Sequence, residues 1–151
     1  MATLEVATAG DATRTTALHE TLRRFPASLF QFDPRMATGW LSDRYFLRTA
    51  ATLKHAGLDP IVTMQLFAKG HGVVAGVYEA IRMLQTQLAE GYSYRDLKIE
   101  SLMDGDTIEP WETVMHITGP YRAFAHLETP VIGVLARRTL VATNTRNTIR
   151  A

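Results

Sequence analysis

Residues 104–136 read DGDTIEPWETVMHITGPYRAFAHLETPVIGVLA, and this stretch decides the fold. Asp104-Gly105 is a tight-turn signal. Two short extended pieces follow, with Pro110 at the bend between them, and Gly119-Pro120 closes the second. From Tyr121 the chain reads as helical for most of its remaining length. Pro130 either kinks that helix or starts a new one at its first position with Thr129 as cap. Upstream, DLKIESLM (96–103) is a strand. GHGVVAG (70–76) is a glycine-rich turn opening a helix, VYEAIRMLQTQLAEG, whose Val77, Ile81, Leu84 and Leu88 share one face. PIVTMQLFA (60–68) is a strand by its β-branched residues and length. Before it, Ser42 is positioned to cap a helix ending at Gly57, with Asp43 suited to the first turn and Phe46, Ala50 and Leu53 as its apolar stripe. A further helix is expected from Thr13 to Arg24, with Leu18 and Leu22 one turn apart. Residues 25–40 read as an extended connection, because Pro26 and Pro34 bias their predecessors away from the α region. Residues 1–12 read as a loose tail or a partly ordered edge. The order of elements predicts an α+β fold, a small mixed β-sheet covered by helices on one side.

The chain has 151 residues, a net charge of +1, 46% apolar and 21% charged residues, and no cysteine. One globular domain is expected. The charge offers no basic field for nucleic acid or an anionic membrane surface, so neither is expected as a partner. Absence of cysteine removes disulfides, thiolate metal sites and cysteine nucleophiles. The N-terminus lacks a signal-peptide pattern, and no apolar run has the length of a membrane span, so the default expectation is the cytoplasm. His19, His55, His71, His116 and His126 are scattered without helical metal-ligand spacing. GHGVVAG lacks the lysine of a phosphate-binding loop, so its glycines read as turn residues. Nothing in the chain pairs a nucleophile with a base. The stop at Ala151 falls inside an amphipathic helical run, which suggests that the natural unit continues.

Three segments in order, SDRYFLRT (42–49), GHGVVAGVYEAIRML (70–84) and residues 104–136 followed by LVATNTR (140–146), resemble the N-terminal domain of the nicotinate and quinolinate phosphoribosyltransferases. The resemblance runs from about Leu41 to the C-terminus and is most specific from DGDTIEP to LVATNTR. It implies an α/β sandwich that packs on a following barrel. The barrel would carry the phosphoribosyl pyrophosphate site, the Mg2+ contacts, any ATP site and most catalytic side chains. It also implies a homodimer or larger homo-oligomer in which this domain lies across the barrel mouth of a neighbour. Residues 1–40 would then be a tail and connecting segment, 41–136 the lid and dimerisation domain, and 137–151 the approach to a barrel absent here. The chain alone would bind no cofactor, hold no catalytic residue and be inactive.

The resemblance also implies roles for single residues. Tyr45 matches the tyrosine that reaches the pyridine ring in the neighbouring subunit. Thr143 matches a threonine near the start of the barrel region, with Asn144 beside it, and Arg146 is a candidate phosphate contact. Quinolinate enzymes place an arginine, suited to a second carboxylate, where this chain has Thr129. Nicotinate therefore fits better than quinolinate. The implied reaction forms nicotinate mononucleotide and pyrophosphate from nicotinate and phosphoribosyl pyrophosphate, in NAD biosynthesis.

Other readings stand beside these. Tyr45 can be a half-buried packing residue, Arg44 and Arg48 solvated surface, and Glu128 a carboxylate favoured by a helix N-terminus. Arg137 and Arg138 read as a solvated face. Ile132, Leu135 and Leu140 are expected to form an apolar surface needing cover from the barrel. DGDTIEPWETVMHI also resembles half of a biotinyl or lipoyl carrier domain, but neither Lys69 nor Lys98 sits in the tight turn such carriers use. Quinolinate turnover, or a stand-alone non-catalytic dimerisation or regulatory lid, are the alternatives in function.

Overall fold

The computed structural model describes residues 3–6 and 12–151. In chain order the elements are β1 (Thr3–Val6), α1 (Ala12–Arg24), α2 (Arg44–His55), β2 (Ile61–Phe67), β3 (Gly72–Val73), α3 (Val77–Thr86), β4 (Lys98–Ser101), β5 (Thr107–Ile108), β6 (Thr113–Pro120), α4 (Tyr121–Phe124) and α5 (Glu128–Arg150). Four strands form one sheet in the order β1-β4-β6-β2, and β3 pairs with β5 in a separate ladder. β1 runs parallel to β4, whereas β4 and β2 both run antiparallel to β6. The sheet is therefore small and mixed, as the sequence suggests.

Period-two alternation sorts the two faces. Met115 and Ile117 of β6, Ile99 of β4 and Leu66 of β2 are buried. They share a core with Leu18 and Leu22 of α1, with Val77, Ala80, Ile81 and Leu84 of α3, and with Phe124, Leu127, Val131 and Leu135. The opposite face carries polar side chains. There Thr63 and Thr118 share a hydrogen bond of 2.8 Å, Gln65 donates to Thr113 at 2.6 Å, and Lys98 pairs with Glu100 at 3.1 Å. Among the described residues no helix is long and apolar enough to cross a membrane.

Several local expectations are corrected. Ser42 does not cap α2: the N-cap is Asp43, whose side chain makes no capping bond, and the Ser42 hydroxyl donates to the Asp43 carbonyl at 3.3 Å. Residues 25–40 are not simply extended. They hold 3₁₀ turns at Ala27–Leu29 and Pro34–Thr38, the second capped by Asp33, which accepts the Arg35 N–H at 2.9 Å. Thr129 is not a cap and Pro130 neither kinks nor starts α5, which begins at Glu128. Pro130 lies in the first turn, where its missing N–H deprives no carbonyl of a partner. Helix α3 stops at Thr86 rather than running to 91. Leu135 is 7% exposed and belongs to the core, whereas Ile132 and Leu140 are exposed. At the N-terminus β1 is the partly ordered edge; the loose-tail reading of residues 7–11 lies outside the described residues.

Two polar residues anchor this frame. Gly105 takes φ +100° at the expected turn, and beside it Asp104 reaches back to accept the Val77 N–H at 2.8 Å, capping α3 from 27 positions away. Burial pushes the Asp104 carboxyl upward, and the Val77 and Gly76 N–H groups hold it down. His126 is buried, with Nε2 3.0 Å from the Gln87 carbonyl. Burial lowers its pKa below the ordinary 6.5, against the opposing effect of the Gln87 hydrogen bond. Below pH 6.5 the unfolded chain takes up a proton there that the folded chain resists, so this contribution to stability falls as pH falls. Thermal melts between pH 7.5 and 5.5 should show a smaller loss of Tm in His126→Gln than in the parent chain; parallel profiles would contradict this.

Candidate functional site

Helix α5 organises the candidate residues because its two ends dock on different parts of the fold. Its N-terminus meets that of α2. There Thr129 Oγ1 lies 3.2 Å from Glu128 Oε2 and 3.5 Å from Asp43 Oδ2, the latter at the limit of a hydrogen bond. Tyr45, in the first turn of α2, is 57% exposed. Its ring rests on Phe46 with centroids 4.0 Å apart and planes at 36°. Partial desolvation, then the Glu128 and Asp43 carboxylates, hold its hydroxyl above the ordinary tyrosine pKa. Tyr45 is thus a neutral aromatic surface backed by a second ring, turned to solvent and flanked by acid.

The far half of α5 docks on the β3–β5 ladder through a threonine pair one turn apart. Thr143 Oγ1 accepts the Val73 N–H at 2.9 Å. Thr139 Oγ1 accepts the Ala75 N–H at 3.1 Å and lies 3.3 Å from the Ala75 carbonyl. The approach is close enough that a Cβ at Gly72 would stand 2.9 Å from Thr143 Oγ1, which explains a glycine there. Arg146 Nη1 donates to Thr107 Oγ1 at 3.3 Å, while its Nε is buried without a hydrogen-bond partner. Asn144 is exposed on another side of the helix. Thr143 and Arg146 therefore share one locale at β3–β5, Asn144 points elsewhere, and Tyr45 belongs to the other end. Thr129 and Thr143 stand about 21 Å apart along α5 at 1.5 Å per residue.

Thr139 and Asp104 position this frame, and neither role is read from the sequence. The threonine repeat one helical turn apart was the available signal for Thr139. Asp104 reads only as a turn residue, because its capping bond spans a distant segment. Thr139→Val and Thr143→Val should each lower unfolding free energy by about 1 kcal/mol in urea denaturation, because each leaves a β3-segment N–H without its acceptor. No loss in either would separate α5 from the ladder.

A small sheet with helices, in a mixed α+β fold, matches the N-terminal domain of type II phosphoribosyltransferases. The family profile described as quinolinate phosphoribosyl transferase, N-terminal domain, matches residues 43–139, and the chain belongs to that family. Two solved structures share its fold. Nicotinate-nucleotide pyrophosphorylase from Pyrococcus furiosus is 24% identical with a TM-score of 0.59, over 70% of this chain and 27% of that one. Human nicotinic acid phosphoribosyltransferase is 20% identical with a TM-score of 0.60, over 69% of this chain and 27% of that one. The chain thus spans about a quarter of the length of these solved relatives. No curated protein sequence matches it.

Proposed function

We propose that this chain is the N-terminal lid and dimerisation domain of a nicotinate phosphoribosyltransferase. In this reading the pyridine nitrogen of nicotinate displaces pyrophosphate from C1 of the ribosyl pyrophosphate, forming nicotinate mononucleotide. The reacting carbon gains oxocarbenium character, and cations stabilise the leaving pyrophosphate. In this reading Mg2+, and ATP where the reaction is coupled to it, act in a barrel domain.

The observation that carries the reading is the separation of Tyr45 from Thr143 and Arg146 by the length of α5. A pyridine acid is far smaller than about 21 Å, so one substrate does not touch both ends of one copy. An exposed ring at one end and a cationic side chain at the other suit a domain that serves two sites. Tyr45 would lie against the pyridine in a neighbouring subunit, orienting rather than activating the nucleophile. Thr143 and Arg146 would face the phosphate side of the chain's own barrel, while Asn144 lies on another side of the helix. Such a division would require assembly as a homodimer or larger homo-oligomer.

Position 129 supports nicotinate over quinolinate. Thr129 lies against the carboxylates of Glu128 and Asp43. A second substrate carboxylate there would meet like charge and no guanidinium. In the complete enzyme, Thr129→Arg should raise the ratio of quinolinate to nicotinate kcat/KM by roughly tenfold, on the order of one charge-assisted hydrogen bond. An unchanged ratio would remove Thr129 from substrate selection.

A further inference from the structure

Helix α1 lies outside the segment that matches the family, residues 43–139, yet it packs on α3 inside that segment. Between the two helices opens a cleft of about 460 Å³, whose lining includes His19, Leu22, Arg23, Arg82, Gln85 and Tyr94 and, among the described residues, contains no carboxylate. Its charged groups are the two guanidinium groups of Arg23 and Arg82. Arg82 is fixed in place: Nε donates to the Phe25 carbonyl at 2.9 Å, Nη1 donates to Gln85 Oε1 at 2.5 Å, and Nη2 donates to the Leu22 carbonyl. These bonds tie the end of α1 to α3 and use three of the five guanidinium N–H groups. They also occupy the Gln85 oxygen, which leaves its NH₂ as the functional end of the carboxamide. Arg23 forms no ion pair among the described residues. The Tyr94 hydroxyl is sequestered from solvent and makes no hydrogen bond, although Gln85 lies near enough to polarise it.

We propose that this α1–α3 cleft binds a phosphate-bearing anion, at a site separate from both ends of α5. Several facts converge on that class of ligand. The cleft brings two guanidinium groups and a carboxamide NH₂ together with no acid among its described lining residues, which suits an oxyanion far better than a cation. The volume admits a small phosphorylated molecule rather than a lone ion. An acceptor entering beside Gln85 would also supply the partner that the Tyr94 hydroxyl lacks. Because Arg82 already grips two carbonyls at the end of α1, anion binding there would tighten the attachment of α1 to the family domain.

Pyrophosphate is the probe that tests this. Titrated into the ¹⁵N-labelled chain at constant ionic strength, it should saturate in the low millimolar range or below. It should shift the Gln85 side-chain amide and the backbone signals of residues 16–23. Arg23→Glu should weaken that binding at least tenfold, and Tyr94→Phe should weaken it measurably without unfolding the chain. Arg146→Ala should leave the residue 16–23 shifts in place, because Arg146 belongs to the β3–β5 locale. No saturable shift, an equal response to sodium chloride, or loss of the residue 16–23 shifts in Arg146→Ala but not in Arg23→Glu would each overturn the proposal.

Discussion

Phe124→Ala is expected to lower the unfolding free energy by about 3–5 kcal/mol, which for a domain of this size is a fall in Tm on the order of 10 °C. Phe124 is 1% exposed and is the largest of the fully buried side chains among the described residues. It lies in the short α4 that joins the central strand β6 to α5, so its ring fills space at the junction of sheet and long helix. Truncation removes the transfer energy of the ring and leaves a cavity that β6 and α5 cannot both close. Urea denaturation followed by circular dichroism measures the loss. A change under 1 kcal/mol would mean that α4 and α5 are not held to the sheet by this ring.

Tyr45→Ala is expected to raise the nicotinate KM of the complete enzyme about tenfold, with kcat changing less. The figure corresponds to one ring contact of about 1–1.5 kcal/mol. The same substitution should leave stability nearly unchanged, since the side chain is 57% exposed. That contrast separates a substrate contact from a packing residue. Loss of Tm in parallel with loss of affinity would make Tyr45 structural, and unchanged kinetics would take it out of the site. Tyr45→Phe should keep most of the affinity, because the proposed role uses the face of the ring and not its hydroxyl.

Much of the fold was legible because its elements announce themselves locally. The sheet strands from Ile61 onward have alternating or β-branched runs, and Asp104-Gly105 marks a turn whose glycine does take positive φ. What was missed depends on contacts between distant segments. Strand β3 is two residues long and is a strand only because β5 lies beside it. Helix α3 ends early, where the Gln87 carbonyl meets His126, a partner 39 residues away. The start of α5 was misplaced by the rule that favours proline at the first helical position. Here Glu128 and Thr129 begin the helix, and Pro130 is tolerated because a first-turn N–H makes no intrahelical bond that its loss could break. For the site, the sequence could nominate Tyr45, Thr143, Asn144 and Arg146 one by one. It could not reveal that α5 holds the first apart from the others, because that separation is a property of one unbroken 23-residue helix.

The most direct test of the account is a side-by-side assay of the complete protein with phosphoribosyl pyrophosphate and Mg2+, supplying nicotinate in one reaction and quinolinate in the other. The account predicts nicotinate mononucleotide and pyrophosphate from the first at a kcat/KM at least tenfold above that for quinolinate. Turnover of quinolinate in preference to nicotinate, or of neither acid with or without ATP, would contradict it.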